Sequence, residues 1–123
     1  MAVFRTQEFE LDLSVKGGWD AYLTVKGKNY SGSVNFEVSE SEYKKFRKTL
    51  AKLYKTLEEG EAVLSEDFGG VNFIKFQSDG LGHFIVSGEL EDYDKFWKLS
   101  FTETVDQTYF KNFIAEFEKE NKD

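Results

Sequence analysis

The chain has 123 residues, with 16 Lys and Arg against 23 Asp and Glu, so its formal net charge is −7. It has no cysteine, no proline and one histidine, beside 13 Phe, 6 Tyr and 2 Trp. These counts exclude a disulfide scaffold, thiolate chemistry and zinc sites built on Cys or on several His. The acidic balance also disfavours a general nucleic-acid binder, whose affinity comes largely from neutralising phosphates.

The length fits one domain spanning 1–123. Val3 and Phe4 open a first strand or a bend. Phe9, Leu11, Leu13 and Val15 then alternate with Glu8, Glu10, Asp12 and Ser14, the period-2 pattern of a half-buried antiparallel strand. Gly17-Gly18 marks a turn, and Ala21, Leu23 and Val25 alternate with polar neighbours. A further turn at Lys26–Asn29 leads to a strand carrying Val34, Phe36 and Val38. Ser39 with Glu42 fits a capping box, with Val38 and Tyr43 placed as a hydrophobic staple. The stripe Tyr43, Phe46, Leu50, Leu53, Tyr54 and Leu57 predicts an amphipathic helix, with Gly60 as its terminating glycine.

Strands resume at Glu61–Ser65, with a loop over Asp67–Gly70. In Val71–Gln77 the apolar phase shifts between Phe73 and Ile74, which fits a bulge or burial on both faces. After the turn Ser78-Asp79-Gly80, a strand carries Phe84, Val86 and Leu90. A charged turn over Glu91–Asp94 leads to a last strand with Trp97, Leu99 and Phe101. Asp106 caps a terminal helix with the stripe Phe110, Phe113, Ile114 and Phe117, and the polar tail from Glu118 to Asp123 is expected to fray. The order predicts an α+β fold. Its mainly antiparallel sheet has about seven strands, strongly curved or split in two, with two helices on its apolar side. The charged first 15 residues carry no signal-peptide pattern, and no run reaches the length of a membrane-spanning helix, so a cytoplasmic protein is the expectation.

The charge is uneven. Residues 60–94 hold Lys75 against eight acids, a net −7, whereas Tyr43–Thr56 holds six bases and no acid. The acids gather near strand ends, where they either solvate loops and guard edges or form a negative patch that meets a basic partner. The basic helix reads as a solvated face. No catalytic signature emerges. The segment from Glu89 has neither the glycine nor the glutamate of a calcium loop, Gly80 and Gly82 lack the rest of a dinucleotide loop, and His83 has no visible catalytic partner. Tyr22, Tyr30, Tyr93 and Tyr109 fall out of phase or in turns and are candidate interface anchors.

Several short motifs occur together: Tyr30-Ser31-Gly32-Ser33 entering a strand, Gly60-Glu61-Ala62 opening one, the run Gly82–Leu90, the strand with Leu99 and Phe101, and Asp106-Gln107-Thr108 before the last helix. In these the chain resembles the WapI-like immunity proteins, small bacterial α+β proteins, from about Leu11 to Phe117. The resemblance implies a cytosolic antitoxin that occludes one cognate toxin, often a nuclease. It carries over no functional residue. The expectation is a non-enzymatic inhibitor needing no metal or cofactor, with no membrane or direct nucleic-acid partner. Its contact surface is placed at Glu66, Asp67, Asp79, Glu91, Asp92, Tyr93 and Asp94. The alternatives are an acidic inhibitor or nucleic-acid mimic acting on a defence enzyme, and a protein-binding domain of other purpose. A small carboxylate enzyme is the least supported.

Overall fold

A computed structural model describes residues 2–92, 94 and 96–121. The chain runs β1 (Ala2–Arg5), β2 (Glu10–Lys16), β3 (Asp20–Lys26), β4 (Ser31–Glu37), α1 (Glu40–Thr56), β5 (Glu59–Ser65), β6 (Phe73–Asp79), β7 (His83–Glu91), β8 (Lys98–Asp106), a single 3-10 turn (Gln107–Phe110) and α2 (Lys111–Asn121). The α+β class is as the sequence predicts. The strands number eight, β1 being a true strand, and they form two four-stranded antiparallel sheets in the orders β1-β2-β3-β4 and β5-β6-β7-β8. Each sheet is a meander of sequence neighbours, as short turns require.

Alternation builds both inner faces. Leu11 and Leu13 of β2, Ala21, Leu23 and Val25 of β3, and Val34 and Phe36 of β4 point inward from one sheet. Ile74 and Phe76 of β6, and Phe84, Val86 and Leu90 of β7, point inward from the other, and all join one hydrophobic cluster. No bulge interrupts β6, whose register with β5 and β7 is continuous. The shift of phase arises because Val71 lies in the loop before the strand.

The two helices close one flank of this core. α1 packs on β5 and on α2, while α2 packs on β1. Phe76 sits at the junction. Its ring lies 6.1 Å from Phe4 of β1, 6.0 Å from Phe46 of α1, 5.7 Å from Phe110 and 5.6 Å from Phe113 of α2. On the other flank β4 approaches β7, and the Tyr30 hydroxyl donates to Glu103 Oε1 at 2.6 Å.

The helix ends follow the sequence signals at Ser39 and depart from them at Gly60. Ser39 caps α1, its hydroxyl accepting from the Glu42 N–H. Leu57, not Gly60, ends the helix in the left-handed region (φ 55°), its N–H donating to the Leu53 carbonyl. Gly60 lies inside β5, where a Cβ would stand 2.8 Å from Leu53 Cδ2, so its missing side chain lets α1 press onto the strand. Gly88 likewise leaves room on β7 for the Phe73 carbonyl, 2.5 Å from where a Cβ would be. Arg47 departs from the expected solvated face. It is buried with its guanidinium 4.7 Å from the Tyr43 ring centre, while Lys44, Lys45, Lys48, Lys52 and Lys55 remain exposed. α2 runs through Asn121 and Glu118 pairs with Lys55 at 2.6 Å, while the last two positions of the tail expected to fray lie outside the described residues.

Two measurements check this frame. Phe76→Ala opens a cavity among four aromatic rings and should cost about 3–5 kcal/mol in denaturant unfolding. Burial, then the neighbouring Glu103 carboxylate, push the Tyr30 pKa well above its ordinary 10.0. A folded value above the unfolded one gives stability that is complete below the unfolded pKa and is lost as pH rises toward the folded one. Stability measured through and above about pH 10 should therefore fall further for the parent chain than for Tyr30→Phe.

Candidate functional site

Antiparallel pairing decides which loops share an end. Ser65 pairs with Phe73, Phe73 with Glu89, and Glu91 with Lys98, so the β5–β6 loop (66–72) and the β7–β8 loop (92–97) emerge together. The Asp67 N–H donates to the Glu37 carbonyl at 2.8 Å, which joins the end of β4 to them. Glu37 pairs with Asp20, and the Val38 N–H donates to the Trp19 carbonyl, so the β2–β3 turn belongs to the same end.

Asn72 organises this end. It is 6% exposed. Its backbone N–H and its Nδ2 both donate to Glu66 Oε1, at 3.2 and 2.8 Å, and its Oδ1 accepts from the Glu91 N–H at 2.8 Å. One buried amide thus ties the β5–β6 loop to the end of β7. Asp92 builds the next turn, its Oδ1 accepting from the Trp97 N–H at 3.2 Å. Between these loops and β4 lies a cleft of about 270 Å³, lined by Asn35, Glu66, Val71, Asn72, Glu91 and Asp92. Asn35 is itself held by Asp20 Oδ1 and the Ala21 carbonyl.

The acidic residues predicted as one surface fall in two places. Glu66, Asp67, Glu91, Asp92 and the exposed Asp94 share the loop end. Tyr93 lies outside the described residues. Asp79 stands at the opposite end of β6, ~20 Å away along the strand. There its Oδ1 accepts from the N–H groups of Leu81 and His83 and its Oδ2 contacts His83 Nδ1. The Leu81 N–H above all, against an opposing effect of burial and with help from the His83 N–H and ring, holds the Asp79 carboxyl below the usual range. That role is a turn's own geometry. The Asp79 end carries a separate open depression of about 520 Å³ with Glu59 and Glu61.

Two side chains at the loop end were missed because phenylalanine in this chain reads as core. Phe68 is 87% exposed and Phe96 is 85% exposed. Phe68 also has φ 59°, a left-handed backbone that costs a non-glycine residue roughly 1–2 kcal/mol. The available signal was its setting between Glu66-Asp67 and Gly69-Gly70, outside any strand phase. Of the tyrosines, Tyr22 and Tyr109 are exposed while Tyr30 is committed to Glu103. Among the described residues no group of three or more His, Asp or Glu is placed to hold a metal ion, and no helix is long and apolar enough to cross a membrane.

The family model described as the immunity protein WapI-like family matches residues 3–122, and the chain belongs to that family. No curated protein and no solved structure gives a significant match.

The Asn72 hub makes a direct prediction. Asn72→Ala strands the Glu91 N–H and loosens Glu66, and should cost about 1–3 kcal/mol in denaturant unfolding. Amide exchange should accelerate selectively over 66–72 and 91–97, with β2 and β3 unaffected.

Proposed function

We propose that this member of the WapI-like immunity family neutralises a cognate toxin domain by stoichiometric occlusion, without turnover. We further propose that it does so through the loop end formed by 66–72 and 92–97. The observation that carries this reading is the coincidence of exposed Phe68 and Phe96 with Asp67, Asp92 and Asp94 on loops anchored by Asn72. Exposed aromatic rings on a rigid base supply contact area with little ordering cost, and the surrounding carboxylates steer a basic partner toward them. A basic toxin surface, such as that of a nuclease domain, fits this chemistry. Glu66 holds the β5–β6 loop in shape through Asn72, to which Glu91 gives only its backbone N–H, and Asp79 stands outside the contact. The cytoplasm, where a toxin would meet its target, is the compartment that suits this role.

The roles separate kinetically. With the product of a toxin gene directly upstream as the probe, Asp92→Lys combined with Asp94→Lys should slow association about tenfold at low salt and flatten its salt dependence. Phe68→Ala and Phe96→Ala should each raise the dissociation rate about tenfold or more while leaving association nearly unchanged. Surface plasmon resonance at several ionic strengths measures both. Binding that survives all four changes would remove this end from the mechanism.

A further inference from the structure

Two open sheets have four edge strands, and three of them are attended. β1 is covered by α2, and β5 by α1. β4 is closed at one end, where its Glu37 carbonyl accepts from the Asp67 N–H. β8 ends its sheet with no described element on its outer side. At nine residues it is among the two longest strands, and it carries no proline or bulge. Its side chains Ser100, Thr102 and Thr104 are exposed and uncharged. The charges of this edge are confined to Lys98 and Asp106 at its ends and to Glu103, which turns inward to Tyr30, so its middle is open.

The hydrogen-bond phase of β8 is fixed by its flanks. The Asp92 N–H donates to the Trp97 carbonyl at one end, and the Gln107 N–H donates to the Gly82 carbonyl at the other. In the register that pairs Gly88 with Phe101, bonded pairs alternate. Leu99, Phe101, Glu103 and Val105 therefore turn their N–H and C=O toward β7. Lys98, Ser100, Thr102, Thr104 and Asp106 turn theirs outward.

The geometry points to a second copy of this chain as the occupant of that edge, paired antiparallel through β8 about a two-fold axis at Thr102. In this register Thr102 faces the partner's Thr102, Ser100 faces the partner's Thr104, and Lys98 faces the partner's Asp106. Every outward residue meets a compatible one, and each end sets Lys98, which also lies 3.7 Å from Glu89 of its own β7, against the partner's Asp106, whose Oδ1 accepts from the Thr108 N–H. All five outward residues fall in hydrogen-bonded positions, so the unpaired backbone groups of both edges are satisfied together. The half-exposed Trp97 comes opposite the partner's Gln107, beside exposed Tyr109, so an aromatic flanks each end of the seam. The β4 edge does not match itself this way. Centring it on Ser33 or Asn35 sets Glu37 against Asn29 or Ser33, with its carbonyl already in use. Because the two β8 strands run oppositely, the two loop ends point away from each other, and the seam reaches only Trp97 of each, leaving Phe68, Phe96 and the acidic residues outside it.

The chain has no cysteine, so one introduced thiol reports the register. Bonded pairs stand ~5.5 Å apart at Cα, within disulfide reach, whereas Ser100 and the partner's Ser100 are offset by ~13 Å. Under mild oxidation Thr102→Cys should give a covalent dimer. Ser100→Cys and Thr104→Cys should each remain monomeric alone and cross-link when mixed. In sedimentation, the parent chain should dimerise with rising concentration. Thr102→Lys sets like charges face to face and should raise the dissociation constant about tenfold or more. A parent chain that stays monomeric up to about 1 mM overturns the proposal. So does a dimer indifferent to Thr102→Lys, or cross-linking equally fast from all three positions. If Thr102→Lys fails to fold, the cross-linking pattern alone decides.

Discussion

No ladder of backbone hydrogen bonds joins the two sheets among the described residues, so side-chain burial does most of the work of making them one body, with single bonds from Tyr30 to Glu103 and from Asp67 to Glu37 at the margins. The decisive contact is between phenylalanines: Phe4 on the first strand against Phe76 on the second sheet, with Phe110 and Phe113 closing over both. Edge-to-face geometry recurs among these rings and adds roughly 0.5–1.5 kcal/mol per pair to the area they bury. This aromatic packing holds together a chain that has no cysteine for a disulfide.

The same arrangement frees the far end of the molecule for recognition. Helices and aromatic rings secure one flank, and loops from both sheets gather at one end around a single buried amide. There the polar economy is strict. Glu66 and Asn72 spend their side-chain hydrogen bonds on each other and on the backbone, Asp92 gives one carboxylate oxygen to the Trp97 N–H, and the side chains of Asp94, Phe68 and Phe96 stand toward solvent. Rigid loops with uncommitted tips lose little freedom on binding, which is how a small surface can bind tightly.

Much of the fold was legible because alternation and helical stripes are strong, local signals. Leu11, Leu13, Leu23, Val25, Phe36, Phe46, Phe113 and Phe117 are buried as their spacing predicts, and Ser39 and Asp106 cap where expected. What failed was of two kinds. Gly60 looked like a helix terminator because glycine favours left-handed ends, yet the real constraint is the approach of Leu53 from another element, which no local window contains. The acidic surface was drawn along the sequence, and antiparallel pairing sends Asp79 and Asp92 to opposite ends of the sheet although 13 positions separate them. Phe68 and Phe96 were hidden by composition: with thirteen phenylalanines, an exposed one cannot be told from a buried one by type.

Each sheet is complete within its own stretch of chain, and every strand pairs only with its sequence neighbour. The consequence concerns time. Few long loops must close before stabilising contacts form, and chains of such local topology fold faster than Greek-key sandwiches of similar size. The first meander can form while the second is still being synthesised, and α1 connects two halves that wait only for their phenylalanines to meet. For a protein proposed to act by being present before its target acts, readiness is part of the design.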